Sequence, residues 1–450
     1  MNGIVIGQAK TYRRGIPALA VLMILAVGLA ARPAAPEPQA QATPLFIKAG
    51  RLLDVKAGVV LNDVLIRIEG DKIQAVGPSL AIPTGARVID LGSAFVLPGL
   101  IDGHTHITFQ FSNYYDDLFR VSPIDQAVRA HIFARRTVEA GFTSVRDVGA
   151  AEFVDVALRN AINSGLVIGP RIQAATMGIG ATGGHADVVG FSPYLQFKGF
   201  SGIADGVDAI RKLIRSEVKN GADLTKLIAT AGVLSEEESS GAPQYSFEEM
   251  KAAVEEAAMW GRKVAAHAHG TEGIKMAIRA GVASIEHGSL IDEEGLRLLK
   301  ERGAFLVADV YNHDFIMTEM RKQGLPERLI AKEASIGELQ RRNFSQAVKA
   351  GVKLAFGTDA AIFPHGDNAR QFAVMVRLGM SPLEAIRSAT LYAAELLGWT
   401  DKAGLIAPGA WADLIAVDGD PLRDVTELER IVFVMKGGTI LRKKPLGTQD

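Results

Sequence analysis

Hydrophobic and polar positions change their period twice along the chain. From 45 to about 96, short runs such as Val64-Leu65-Ile66-Arg67-Ile68 are cut by turn residues at Glu69-Gly70-Asp71 and Gly77-Pro78, the pattern of β-strands. The C-terminal end repeats it in Ala412-Asp413-Leu414-Ile415-Ala416-Val417 and Ile431-Val432-Phe433-Val434-Met435, followed by Gly437-Gly438. Two all-β pieces around a different middle predict one small β-sandwich domain, assembled from 43–96 and 399–450.

The middle, 97–398, alternates strand and helix. Apolar runs at 97–101, 143–145, 172–176, 224–229, 263–266, 283–285, 304–308 and 352–356 each end in a polar or glycine-rich turn. Helical patterns fill the gaps. Ser246 and Glu249 form a capping box ahead of a helix to Trp260, and Ser381, Pro382 and Glu384 open another that runs to Leu397. Eight βα units in about 300 residues predict a (β/α)8 barrel of the TIM type. An open doubly wound sheet is the alternative, but no glycine-rich phosphate fingerprint follows the first strand.

Composition narrows the chemistry. A net charge of −1 gives no pull toward nucleic acid or an anionic membrane surface. The chain has no cysteine, which excludes disulfides, thiolate zinc sites and catalytic thiols. A metal would have to be held by His, Asp, Glu or a modified Lys. The first 42 residues read differently from the rest. Lys10, Arg13 and Arg14 precede an apolar stretch at 16–31, then a Pro/Ala/Gln-rich segment that ends in Ala40-Gln41-Ala42. That order predicts a signal peptide over 1–42 and a periplasmic or secreted mature protein. The apolar run is shorter than the ~20 residues a span needs, so no stable membrane insertion is expected after cleavage. Arg13-Arg14 leaves the export route open between general and twin-arginine secretion. A barrel of this size is expected to associate into a homo-oligomer.

In a barrel of this kind catalytic groups sit at the C-terminal ends of the strands. That rule selects His104 and His106 after strand one, Lys226 in strand four, His267 after strand five, His287 after strand six and Asp359 after strand eight. Spacing by two puts the imidazoles of His104 and His106 on one face of an extended segment, where a pair can grip one metal ion, and imidazole suits zinc. His-x-His alone is common on surfaces, and its weight here comes from the other candidates at the same end. His185, in Thr182-Gly183-Gly184-His185 after strand three, is placed to meet a substrate carbonyl or carboxylate. His269 either faces the pocket or caps the next helix. Tyr245 is a candidate hydrogen-bond partner for substrate, with core packing as the alternative; Tyr114 and Tyr115 carry the same two readings. His131 reads as a non-site residue on an amphipathic helix, Arg146-Asp147 as an ion pair at the mouth, and Glu236-Glu237-Glu238 as a solvated loop.

Leu97-Pro98-Gly99-Leu100-Ile101-Asp102-Gly103-His104-Thr105-His106 resembles the strand-one signature of the amidohydrolase superfamily. Lys226, His267, His287 and Asp359 resemble that superfamily's remaining metal and catalytic positions. The resemblance covers nearly the whole mature chain, including Gly357-Thr358-Asp359. It is nearest to the branch of imidazolonepropionase-like enzymes and metal-dependent Xaa-Pro and Xaa-Arg dipeptidases. It implies two divalent ions, with zinc the expected metal. His104, His106 and Asp359 would hold the more buried ion and His267 and His287 the second, with Lys226 bridging both as an N6-carboxylated side chain. An ammonium has no lone pair, so Lys226 cannot ligate until it is so modified. The resemblance further implies a metal-bridging hydroxide that attacks the amide carbonyl. Asp359 would carry its proton to the leaving amine, with His185 and His287 as the other shuttle candidates.

The resulting expectation is an exported, zinc-dependent amidohydrolase or peptidase acting on small amides such as dipeptides or N-acyl amino acids. Hydrolysis of a cyclic amide or deamination of a heterocycle is the alternative. Lys226 favours the first, because deaminases of this superfamily generally use one metal without that lysine. A metal-free scaffold on the same fold is disfavoured, since every candidate ligand position is filled.

Overall fold

The computed structural model describes residues 44–194, 202–237 and 239–444. The predicted leader lies outside the described residues. Both ends of the described chain enter one sheet. Its strand order is Thr439–Lys443, Phe433–Lys436, Leu414–Val417, Phe95–Pro98, Leu45–Asp54, Val59–Glu69 and Lys72–Gly77, with Arg87–Asp90 also paired to Leu45–Asp54. Alternation does the folding here. Val64, Ile66 and Ile68 are buried while Arg67 between them is exposed, so the apolar face meets Ile47, Leu414 and Phe433 in a core of its own.

The first barrel strand begins later than its apolar run suggests. Leu97 and Pro98 pair antiparallel with Ile415 and Leu414 in the small sheet, and the barrel strand is Leu100–Thr105. Gly99 makes the change of sheet. A Cβ there would collide with the side chain of Thr143 on the neighbouring strand, so only glycine fits the crossing.

The (β/α)8 barrel continues through Phe142–Asp147, Arg171–Ala174, Thr225–Ile228, Val264–Ala268, Ser284–His287 and Phe305–Val307, joined by parallel ladders. Most of these residues are buried on both faces, which is why the strands read as continuous apolar runs rather than alternating ones. Two positions depart from expectation. The third strand breaks at Thr176, whose φ is +65°, and the ladder to Thr225–Ile228 is picked up by Gly178–Gly180. The eighth, expected over 352–356, forms isolated bridges instead of a ladder. Leu354 bridges Leu306, Gly103 N–H donates to Phe356 O at 2.8 Å, and Ala360 bridges Thr105, which ties the seventh position to the first.

Helix starts follow their caps. Ser246 and Glu249 exchange both bonds of a capping box ahead of Phe247–Met259. At Ser381 only half of the box forms. Its hydroxyl accepts from Glu384 N–H at 3.2 Å, but the Glu384 carboxylate turns to Arg387 and Tyr392 instead.

Candidate metal centre

The strand-end rule picks residues that the structure brings to one place. His104 Nε2 and His106 Nε2 lie 3.4 and 3.2 Å from Asp359 Oδ1. Ligand atoms of His104, His106 and Asp359 all fall within 4.8 Å of one another, and so do those of His267, His269 and His287. The two groups touch through His287, whose ring lies 4.9 Å from that of His104 and 4.6 Å from that of His267. Lys226 is buried in its strand and lines the same cavity.

The backbone is bent to achieve this. His287 and Asp359 take φ of +68° and +57°, left-handed values that non-glycine residues avoid. Each such residue costs about 1–3 kcal/mol and persists only where its surroundings fix it. Asp359 N–H donates to His104 O at 2.7 Å, and Gly288 N–H to Ala268 O at 3.0 Å.

Outer partners set the direction of each imidazole. His104 Nδ1–H donates to Glu286 Oε2 at 2.8 Å, His106 Nδ1–H to Gly149 O at 2.7 Å and His287 Nδ1–H to Asp309 Oδ1 at 3.0 Å. Carboxylates and carbonyls only accept, so the proton sits on Nδ1 and the lone pair on Nε2. The Nε2 atoms of His104 and His267 are buried without a hydrogen-bond partner. Orphaned lone pairs in a dry site are costly unless something electropositive meets them, and a metal ion fits that requirement. Burial, and then the charge of the neighbouring imidazoles, holds His267 and His269 well below the usual histidine value, which keeps them neutral donors. Burial raises the Asp359 carboxyl, but the bonds and charges of His104 and His106 outweigh it and hold it well below the usual carboxylate range.

Sequence reasoning missed the acids behind the histidines. Glu286 accepts from His104, from Arg146 Nη2 at 2.8 Å and from Ser284, and these contacts keep it ionised despite complete burial. Arg146 therefore pairs with Glu286 inside the barrel, not with Asp147 at the mouth. Asp147 instead accepts from the backbone N–H of Ile107 and Gly149. Asp309 also accepts from Asn312 Nδ2 and Gln340 Nε2. One signal was available: Asp309 directly follows the run at 304–308, where the strand-end rule would have selected it.

The candidate substrate residues separate. His185 lines the cavity and stacks on His267 at 4.4 Å. His269 faces the cavity rather than capping a helix, with Nδ1 hydrogen-bonded to Ser289 Oγ at 2.7 Å. Tyr245 does not belong here. It packs in the barrel core and its hydroxyl donates to Ala204 O at 2.8 Å, so the packing alternative holds for it. Tyr115 is exposed and its hydroxyl accepts from Arg328 at 2.8 Å, whereas the Tyr114 side chain lies outside the described residues. His131 is exposed on Pro123–Glu139, away from the cavity lining. The acidic loop is not simply solvated, because Glu236 and Glu237 are both largely buried and paired.

These groups surround a cavity of about 330 Å³. Beside the polar cluster the lining includes the apolar side chains of Phe109, Phe111, Phe191, Leu234 and Ile362.

Residues 95–441 match the amidohydrolase family. Over 415 residues the chain is 32% identical to ochratoxinase of Aspergillus niger, covering 87% of this chain and 84% of that protein. It is similar to the crystal structure of a Xaa-Pro dipeptidase with methionine bound in the active site, at 39% identity and a TM-score of 0.85, covering 88% of this chain and 99% of the other. The structure of a prolidase complexed with N-methylphosphonate-L-proline aligns at 33% identity and a TM-score of 0.84, covering 89% and 100%. The barrel, the strand-end site and the extent of these matches agree: the chain belongs to the amidohydrolase family, as an enzyme acting on amide bonds.

Proposed function

We propose that the enzyme hydrolyses small amides, dipeptides or N-acyl amino acids with an apolar side chain, in the periplasm or outside the cell. Two divalent ions, zinc by the chemistry of the donors, would be held by His104, His106, Lys226, His267, His287 and Asp359. The observation that carries this reading is the orientation of the donors. Outer acceptors occupy the Nδ1 of His104, His106 and His287, while the Nε2 atoms of His104 and His267 are buried and unpartnered.

Burial pushes the Lys226 ammonium down against the pull of Glu286 and Asp359, which makes the neutral amine that takes up CO₂ easier to form. Carboxylated, Lys226 becomes an anion with two donor oxygens. When bound, the ions would supply Lewis acidity and an activated water near neutral pH. Asp359, grouped with His104 and His106 and also with His287 and Asp309, would accept a proton from water and return it to the leaving amine. His185, stacked on His267 beside the donor cluster, meets the substrate, and Phe109, Phe111 and Phe191 receive an apolar side chain and exclude water. The similar Xaa-Pro dipeptidase and prolidase support a peptide-like amide as the substrate class.

The test is hydrolysis of a dipeptide and N-acyl amino acid library by purified, zinc-supplemented enzyme. Release of free amine from members with apolar side chains is expected. Fully metallated protein that cleaves none of them would overturn this reading.

A further inference from the structure

The acidic loop after the fourth barrel strand contacts His185, a cavity histidine outside the proposed ligand set. His185 Nδ1 lies 2.5 Å from Ser235 Oγ and 3.5 Å from Glu237 Oε1. Gly232 N–H donates to the same Glu237 oxygen at 3.0 Å, while Glu237 Oε2 is buried with no hydrogen-bond partner. The loop is itself strapped down. Lys332 Nζ donates to Ser235 O at 2.9 Å and Glu237 O at 2.8 Å, and Arg328, one turn earlier on Glu327–Ala350, pairs with Glu236. The ring has little room to turn. His267 stacks on it with an interplanar angle of 20°, and a Cβ on Gly232 would collide with its Cε1, Nδ1 and Nε2.

A carboxylate accepts and never donates, so Glu237 beside Nδ1 favours a proton there and disfavours a lone pair. Burial would raise the Glu237 carboxyl, but contacts with His185, Ser235 and the Gly232 amide outweigh this and hold it at about 2. A carboxylate that is ionised throughout the working range, inside a loop clamped by two basic side chains, is more than a solvated acid.

We propose that Ser235 and Glu237 are positioning residues, which fix His185 with its proton on Nδ1 and present Nε2 to the substrate. The proposal rests on the reading of His185 as substrate-facing, and the test separates the two. Zinc-loaded full-length enzyme with ¹⁵N-labelled histidine reports the tautomer without substrate, the His185 signal being identified by its loss in His185→Gln. Wild type should show the Nδ1–H form, and Ser235→Ala and Glu237→Ala a mixture or the other tautomer. Metal content should stay unchanged, because neither residue contacts a proposed ligand directly. On a cleaved amide, kcat/KM should fall ~10–100-fold, the usual scale for an outer partner of a site residue. The double variant Ser235→Ala/His185→Gln should be no slower than His185→Gln alone, since both changes remove one function. Ser235→Cys is the milder variant if Ser235→Ala does not fold. An unaltered tautomer, loss of metal or additive kinetic effects would each overturn the positioning role. Wild-type turnover in His185→Gln would instead remove His185 from the reaction, and the proposal with it.

Discussion

His104 shows how tightly one residue is specified at this centre. It must donate from Nδ1 to Glu286 and keep Nε2 without a hydrogen-bond partner, and among the side chains only histidine meets both demands. Asp359 is the carboxylate that both His104 and His106 face. Asp359→Asn should retain most of the bound metal, held by four histidines and Lys226, yet lower kcat at least ~10²-fold, the scale of lost general acid–base catalysis. The sign of the pH effect follows from its depressed pKa. The base form is present above that value and lost below it, so the acidic limb of kcat should lie below the ordinary Asp value of about 4 and vanish in Asp359→Asn. Activity that falls only in proportion to metal lost would make Asp359 a ligand and nothing more. The histidines and Lys226 were legible because strand-end position selects them before any partner is known. Glu286 was not, since one glutamate before a histidine looks like any other until the barrel brings Arg146 against it. Tyr245 was misplaced because a tyrosine near a loop suits a core position as well as a site.

The elements were legible where a period is long and unbroken. The capping box at Ser246, the helices between strands and the two-ended sheet all follow from local patterns that the tertiary structure does not contradict. The misreadings sit where the chain serves two sheets or bends at the site. Leu97-Pro98 is as apolar as a barrel strand, and its pairing with Ile415 and Leu414 places it in the small sheet. The eighth position makes isolated bridges instead of a ladder where the chain passes Gly357 and bends at Asp359, whose φ is +57°. A Cβ at Gly357 would collide with Val307 and come within 2.8 Å of His104 Cβ. Gly357→Ala should therefore destabilise the fold by ~1–3 kcal/mol, as overpacking does, and weaken metal retention by displacing His104. Thermal unfolding and metal content measured together check this. A stable variant with full metal would show that the strand ends are looser than the contacts imply.

For the whole molecule, barrel and small sheet were readable from element order, because alternating βα units flanked by β segments leave few ways to bury the apolar faces. Location is a separate matter, carried by residues outside the described ones. Since Ala40-Gln41-Ala42 has the form of a signal peptidase site, protein recovered from its native host should begin near Thr43. N-terminal sequencing that finds the leader intact in a membrane fraction would contradict export as a soluble enzyme. The central claim is that the strand-end residues form a two-ion centre with Lys226 between its halves. Elemental analysis of protein produced with zinc addresses it most directly. The account predicts about two equivalents per chain, as a two-metal hydrolase requires, and one equivalent or none would contradict it.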